Sequence, residues 1–287
     1  TVSDSFSTLA SIGILTDNKG QLEIREADFT KAFADNFSKI AGLFGTQLST
    51  SNSNITLNTG SFAAEAAAGT YTIDITQAPA KGNIQSTNNL IATDHSLLSS
   101  TFAIDVNGVS SNSLSLTGNH STLAELATEM QNVINADSLL AATNIKVDVT
   151  IDANDALVIT SREFGASSKV SFSAASTDFI NNVGIDVNTV GTDGKDVIGT
   201  INGEAAFGSS DVLLPGISSA AYGLNISVKE NTSLGLYTAT FSRGLAGDLA
   251  LLTSTALAEG GQIDNKEKLI SKQQVSLAVD QENLDRK

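Results

Sequence analysis

The sequence predicts an α+β fold, made mainly of antiparallel β domains with amphipathic helices at both ends, and three observations predict it. Near the start, Phe29, Phe33, Phe37, Ile40 and Phe44 recur at steps of four, four, three and four, the apolar stripe of a helix. Between about residues 60 and 195 the apolar period falls to two, the alternation of half-buried strands. Beyond Arg243 the spacing becomes helical again and stays so to the end.

Local chemistry places the elements in order. After the turn Asp17-Asn18-Lys19-Gly20, Leu22 to Ile24 reads as a short strand. The phenylalanine stripe follows as a helix that must pack on something, with Gly45 where a left-handed C-terminal residue belongs. Residues 46–61, TQLSTSNSNITLNTGS, are rich in Ser, Thr and Asn and read as a linker or an edge segment. Tyr71, Ile73 and Ile75, then Phe102, Ile104 and Val106, then Ile145, Val147, Val149 and Ile151 mark strands of a largely antiparallel sheet. The stretches GTYTIDITQ at 69–77 and STFAIDVNG at 100–108 are near twins.

Asn107-Gly108 and Asn202-Gly203 are hairpin signals, because a type I′ turn needs positive φ at both central residues. Thr122 and Glu125 form a capping box, with Leu123, Leu126, Ala127, Met130, Val133 and Ile134 as the buried face of the helix it starts. After VNTVGTDGKDV, strands are expected near 197–201, 224–228 and 236–241. Leu245, Leu249, Leu252 and Ala256 then give a helix that breaks at Gly260-Gly261, and Asp264 with Glu267 caps another that runs to the end. These shifts divide the chain into a helical segment 1–45, a linker 46–59, a β-rich module 60–195 with one packed helix, a small β domain 196–242 and C-terminal helices 243–287.

Ile263, Ile270, Leu277 and Leu284 recur every seven residues, while Gln273 and Asp280 occupy positions that a coiled coil would fill with leucine. An ordinary surface helix with one buried row and a true inter-helix coil both fit this pattern.

Composition bounds the function classes. The chain has 287 residues, with 16 basic against 31 acidic side chains and a net charge of −15. That field repels phosphate backbones and anionic headgroups, so neither nucleic acid nor a membrane surface is expected as a partner. No cysteine is present, which removes disulfides, thiolate metal sites and cysteine nucleophiles. The apolar runs fall short of a membrane span, and no charged-then-apolar leader opens the chain. It starts at Thr1 without methionine and stops within a helical pattern, and so reads as an excised piece of a larger protein.

Motifs for catalysis are wanting. His95 and His120 sit in turn-like stretches, TDHS and GNHS, outside the His-Glu-x-x-His spacing, and read as solvent-exposed loop residues. Asp186, Asp193 and Asp196, and likewise Asp152, Asn154 and Asp155, form oxygen-rich loops of the kind calcium likes, but they do not match the twelve-residue calcium loop and are equally the residues that build turns. No nucleophile elbow, Walker loop or dinucleotide fingerprint occurs, and a chain without tryptophan and with three tyrosines is poorly equipped for a sugar cleft. No catalytic residue, cofactor or metal is assigned, and the protein is read as a non-enzyme.

Three stretches, taken in order, resemble one family. LASIGILTDNKGQLEIREADFTKAFADNFSKIAGLF (9–44), GTINGEAAFG (199–208) and YTATFSRGLAGDLALLTSTAL (237–257) are similar to the C-terminal part of the bacterial flagellar hook-associated protein 2 family, the filament-capping proteins. The middle, with its twin strands and STLAELATEMQNVINA, resembles the strand-helix-strand module of flagellins and hook-associated proteins, the twins looking like openings of related modules. The resemblance implies a structural protein exported through the flagellar secretion system to the extracellular filament tip. There it would form a homo-oligomeric ring and help flagellin fold and insert. By that mapping 1–45 and 243–287 are leg segments, 60–242 forms the cap plate, and Ile263, Ile270, Leu277 and Leu284 are the expected leg contacts between subunits. The module carried between the GLF and TINGEAA segments implies an additional exposed domain, and adhesion to host surface glycans or mucin is the alternative function.

Overall fold

The computed structural model describes residues 8–87, 95–96, 100–116 and 119–286. The described residues form six α-helices: α1 Glu26–Phe44, α2 Leu123–Asn135, α3 Ser138–Ala142, α4 Thr177–Val183, α5 Gly244–Leu257 and α6 Gln262–Asp285. Antiparallel strands supply the rest of the regular structure, so the fold is α+β as the two periods predict. The chain divides into two compact units, residues 1–49 with 240–287, and residues 50–239.

In the first unit the expected strand Leu22–Ile24 is present and pairs with Ile14–Thr16 in a hairpin. Its turn is held by Asp17, whose Oδ1 accepts the N–H groups of Lys19 at 2.8 Å and Gln21 at 2.7 Å. Helix α1 packs Ala32 and Ile40 against Ile12, with Leu9, Ile14, Phe29, Leu43 and Phe44 around them. Phe33 and Phe37 remain exposed, at 45% and 60%, and meet each other edge to face at 5.0 Å. The single stripe expected from the sequence is therefore split. Each step of four overshoots a full turn by about 40°, so two such steps from Phe29 carry Phe37 out of the line that Ile40 and Leu43 rejoin.

Gly45 is not the left-handed residue its position suggested. Its φ of −99° and ψ of 169° are extended, because the chain must pass straight into the strand Gln47–Thr50. Gly244, with φ +66°, is left-handed at the start of α5. The break at Gly260-Gly261 is present, Gly260 having φ +76°. Helix α6 starts three residues earlier than expected: Gly261 is its N-cap, and Asp264, already within the first turn, reaches back to accept the N–H of Gly260 at 2.7 Å.

The second unit holds the larger core. Thr101–Val106 pairs with Leu114–Ser115 on one side and Val170–Ala175 on the other, while Leu157–Phe164 stands between Val147–Ile151 and Lys81–Gln85. Helix α2 closes this core with Leu126, Ala127, Met130 and Ile134 buried, Leu123 and Val133 packing at the margin, and the Thr122/Glu125 capping box formed in both directions. Phe102, Phe172 and Phe179 stack at its centre, with 4.8 Å between the rings of Phe102 and Phe179. Val147–Ile151 is an edge strand, and α2 satisfies it. Asn135 both donates to the carbonyl of Val147 at 2.9 Å and accepts its N–H at 2.8 Å, while Gln131 accepts the N–H of Val149 at 3.0 Å.

A smaller sheet runs in the order Phe207–Ser209, Val212–Leu214, Leu224–Val228 and Ile55–Thr59. The polar run 46–61 thus contributes an edge strand, with Ile55 and Leu57 buried. Of the twin strands, Gly69–Gln77 pairs with Ile198–Ile201 whereas Thr101–Val106 pairs with Val170–Ala175. Each buries its alternate aromatic and aliphatic residues, Tyr71, Ile73 and Ile75 in one and Phe102, Ile104 and Val106 in the other. Both Asn-Gly turns adopt the left-handed pair that type I′ requires, with φ of 54° and 82° at Asn107 and Gly108, and 52° and 80° at Asn202 and Gly203.

Candidate functional site

The oxygen-rich loops and the two histidines hold the side chains best suited to chemistry. Asp152 Oδ1 accepts the N–H groups of Asn154 at 2.8 Å and Ala156 at 2.9 Å, and Asp186 Oδ1 accepts that of Asn188 at 2.9 Å. These donors hold both carboxyls below the ordinary range, Ala156 N–H acting most strongly on Asp152 and Asn188 N–H on Asp186. Asp196 Oδ1 accepts from Ser210 N at 2.7 Å, and Asp193 pairs with Lys169 at 2.7 Å. Asp152 and Asp186 thus serve turns of their own loops, while Asp193 and Asp196 reach partners further along the chain. Among the described residues no group of three histidine or acidic side chains is placed to hold a metal ion.

The histidines depart from the expectation of exposed loops. His95 and His120 are cross-strand partners in a two-stranded ribbon, His95–Ser96 with Asn119–His120. The His120 side chain is only 7% exposed, and its Nε2 lies 2.6 Å from Glu129 on α2. Twenty-four residues separate His95 from His120, which hides their cross-strand pairing from any local pattern.

Asp137 is the other carboxylate with a structural task. It caps α3 through the N–H groups of Leu139 at 3.0 Å and Leu140 at 3.1 Å, and accepts both Asn112 N at 3.1 Å and Asn112 Nδ2 at 2.8 Å. Burial pushes its pKa up, but these four donors outweigh burial and hold it below the usual value.

Exposed apolar side chains are gathered on the C-terminal helices α5 and α6. Helix α6 spans 24 residues and buries none of them. The four residues predicted as leg contacts all lie on it, with Ile263 43%, Ile270 53%, Leu277 67% and Leu284 71% exposed. Seven residues come to within about 20° of two full turns, so the four form one slowly drifting row. Leu269, Val275 and Val279 are exposed as well, and the two valines lie across the helix from that row. The heptad pattern passed over them because they do not share its period. On α5, Leu245, Leu249, Leu252 and Leu257 are likewise exposed. Asp264 accepts from Lys268 Nζ at 2.7 Å, and that ammonium, followed by the N–H of Gly260, holds the Asp264 carboxyl below its usual range. Arg286 pairs with Glu282 at the far end. No helix among the described residues is long and apolar enough to cross a membrane.

Comparison with known proteins completes the picture. The chain is similar in fold to the flagellar cap protein FliD D1-D2-D3 domains from Escherichia coli, 16% identical with a TM-score of 0.46, covering 74% of this chain and 59% of that one. It is also similar to FliD (HAP2) from Pseudomonas aeruginosa PAO1, 17% identical with a TM-score of 0.42 over 78% of this chain and 94% of that one. A third is the flagellar cap protein FliD from Bdellovibrio bacteriovorus, 15% identical with a TM-score of 0.43 over 67% and 98%. The chain thus spans 59% of the length of the Escherichia coli three-domain structure. No curated protein sequence matches it. Residues 1–137 match the family model of the flagellar hook-associated protein 2 C-terminus.

Proposed function

We propose that this protein is a non-enzymatic structural component of the flagellar filament cap, acting outside the cell at the filament tip. In this reading it assembles with copies of itself into a ring and promotes the insertion and folding of flagellin. The observation that carries the proposal is α6, a helix of 24 residues with no buried side chain and apolar residues on more than one side. Helices draw most of their stability from tertiary packing, and one that is apolar on several sides belongs inside a bundle. Ile263, Ile270, Leu277 and Leu284 are the leg contacts, with Val275 and Val279 meeting a second neighbour.

Replacing those four residues by alanine in the full-length protein tests this. The helix should persist, since alanine favours it and none of the four side chains is buried. Ring formation followed by light scattering should fall away. A variant that assembles like the wild type overturns the reading.

A second reading follows from the self-contained core between Ile84 and Ile185. A module that closes its own core leaves its outer surface available for recognition, and adhesion to host glycans or mucin is the function such a surface would serve. A glycan array that stays blank with the folded protein removes it.

A further inference from the structure

In three dipeptides of this chain a glycine follows an asparagine or an aspartate, so that a main-chain nitrogen with no side chain to shield it stands next to a side-chain carbonyl: Asn107-Gly108, Asp193-Gly194 and Asn202-Gly203. The fold treats them differently. Gly194 is buried, its N–H donates to the Ser168 carbonyl at 2.8 Å, and the Asp193 carboxylate is paired with Lys169. Asn107 is held at both ends of its side chain: Nδ2 donates to Glu163 Oε2 at 3.0 Å, and Oδ1 accepts the N–H of Lys169 at 3.1 Å.

Asn202 is held at one end only. Its Oδ1 accepts the N–H of Thr72 at 2.9 Å, while Nδ2 has no partner among the described residues. Asn202 and Gly203 are both exposed, and a Cβ on Gly203 would meet nothing within 4 Å. Their turn closes a hairpin whose outer arm, Glu204–Ala205, is a short exposed strand at the edge of its sheet. An arm of that size opens at little cost.

We propose that Asn202 is a site of spontaneous covalent modification, its amide exchanged for a carboxylate through a cyclic imide, while the same dipeptide at 107 is protected. The Gly203 nitrogen, its proton passed to solvent hydroxide, attacks Asn202 Cγ. A C–N bond forms, the bond from Cγ to Nδ2 breaks, and Nδ2 takes a proton from water and leaves as ammonia. Water then opens the imide at one carbonyl to give aspartate, or at the other to give isoaspartate. Thr72 N–H donates to the oxygen on which negative charge gathers as Cγ becomes tetrahedral, so the bond that holds Asn202 also favours the attack. The open Nδ2 can be protonated from solvent. At Asn107 the Glu163 carboxylate occupies that nitrogen and sets a negative charge beside a centre that must itself become negative.

Either product adds a negative charge to a chain already at −15. Isoaspartate also lengthens the main chain by a methylene, which so tight a turn cannot absorb, and the pairing of Ile201 with Glu204 is lost.

The test holds the whole folded protein in warm, mildly alkaline buffer, with a parallel sample in guanidinium chloride, and follows the acid and isoacid forms of residues 107 and 202 by peptide mass spectrometry. In the folded protein residue 202 should convert several-fold faster than 107, and in denaturant the two rates should converge, since the dipeptides are identical. Conversion at 107 as fast as at 202 in the folded protein overturns the proposal, as does a residue 202 that stays intact while the denatured sample converts. Glu163→Ala, a change at an exposed side chain, should speed conversion at 107 and leave 202 unaltered; an unchanged rate at 107 overturns the protection assigned to Glu163.

Discussion

Gly244 is packed against Gly45 so closely that a Cβ on Gly244 would stand 2.3 Å from the Gly45 carbonyl oxygen, and 2.6 Å from the carbonyl carbon and oxygen of Phe44. The end of α1 and the start of α5 therefore meet backbone to backbone, at a residue whose φ of +66° already favours glycine. Gly244→Ala should cost about 2 kcal/mol or more through combined strain and overpacking. Thermal unfolding followed by circular dichroism checks this, and an unchanged melting temperature would contradict it.

The cap of α2 should be worth less. Thr122 accepts the N–H of Glu125 at 3.2 Å, and the Glu125 carboxylate accepts the N–H of Thr122 at 3.3 Å and that of Ser121 at 2.7 Å. Thr122→Ala removes one arm of this exchange and should lower stability by about 1 kcal/mol in urea titration, with Thr122→Ser restoring most of it.

Asp137 gives the module a predictable response to acid. Its folded pKa lies below the ordinary 3.8, so its contribution to stability is present above that value and is lost as pH falls through the folded value. Asp137→Asn cannot ionise and should be less stable than the wild type near neutral pH. The gap between their urea midpoints should then close as pH falls below about 4. A gap that stays constant with pH would refute the assignment.

Two phenylalanines separate core from surface. Phe179 is fully buried and stacks on Phe102 at 4.8 Å, whereas Phe33 is 45% exposed. Phe179→Ala should cost about 3–5 kcal/mol. Phe33→Ser should change stability by about 0.5 kcal/mol or less. Resistance to limited proteolysis ranks the two variants.

Residue order alone determined the elements whose causes lie within a few residues. The α1 stripe, the Thr122/Glu125 box, both Asn-Gly turns and the alternating strands follow from helix and strand periods, from side chains reaching nearby N–H groups, and from the steric freedom of positive φ. The family resemblance was legible for the same reason, since its motifs are short and contiguous. Only the tertiary structure decided which faces are buried and which groups far apart in the chain meet. It held Gly45 extended and packed Gly244 against it, set Glu129 against His120, aimed Asn135 at the edge of Val147–Ile151, and left Ile263, Ile270, Leu277 and Leu284 exposed. Such relationships join residues brought together only when the chain closes on itself, because short-range sterics govern a few neighbouring dihedrals while burial depends on whatever the rest of the fold brings alongside.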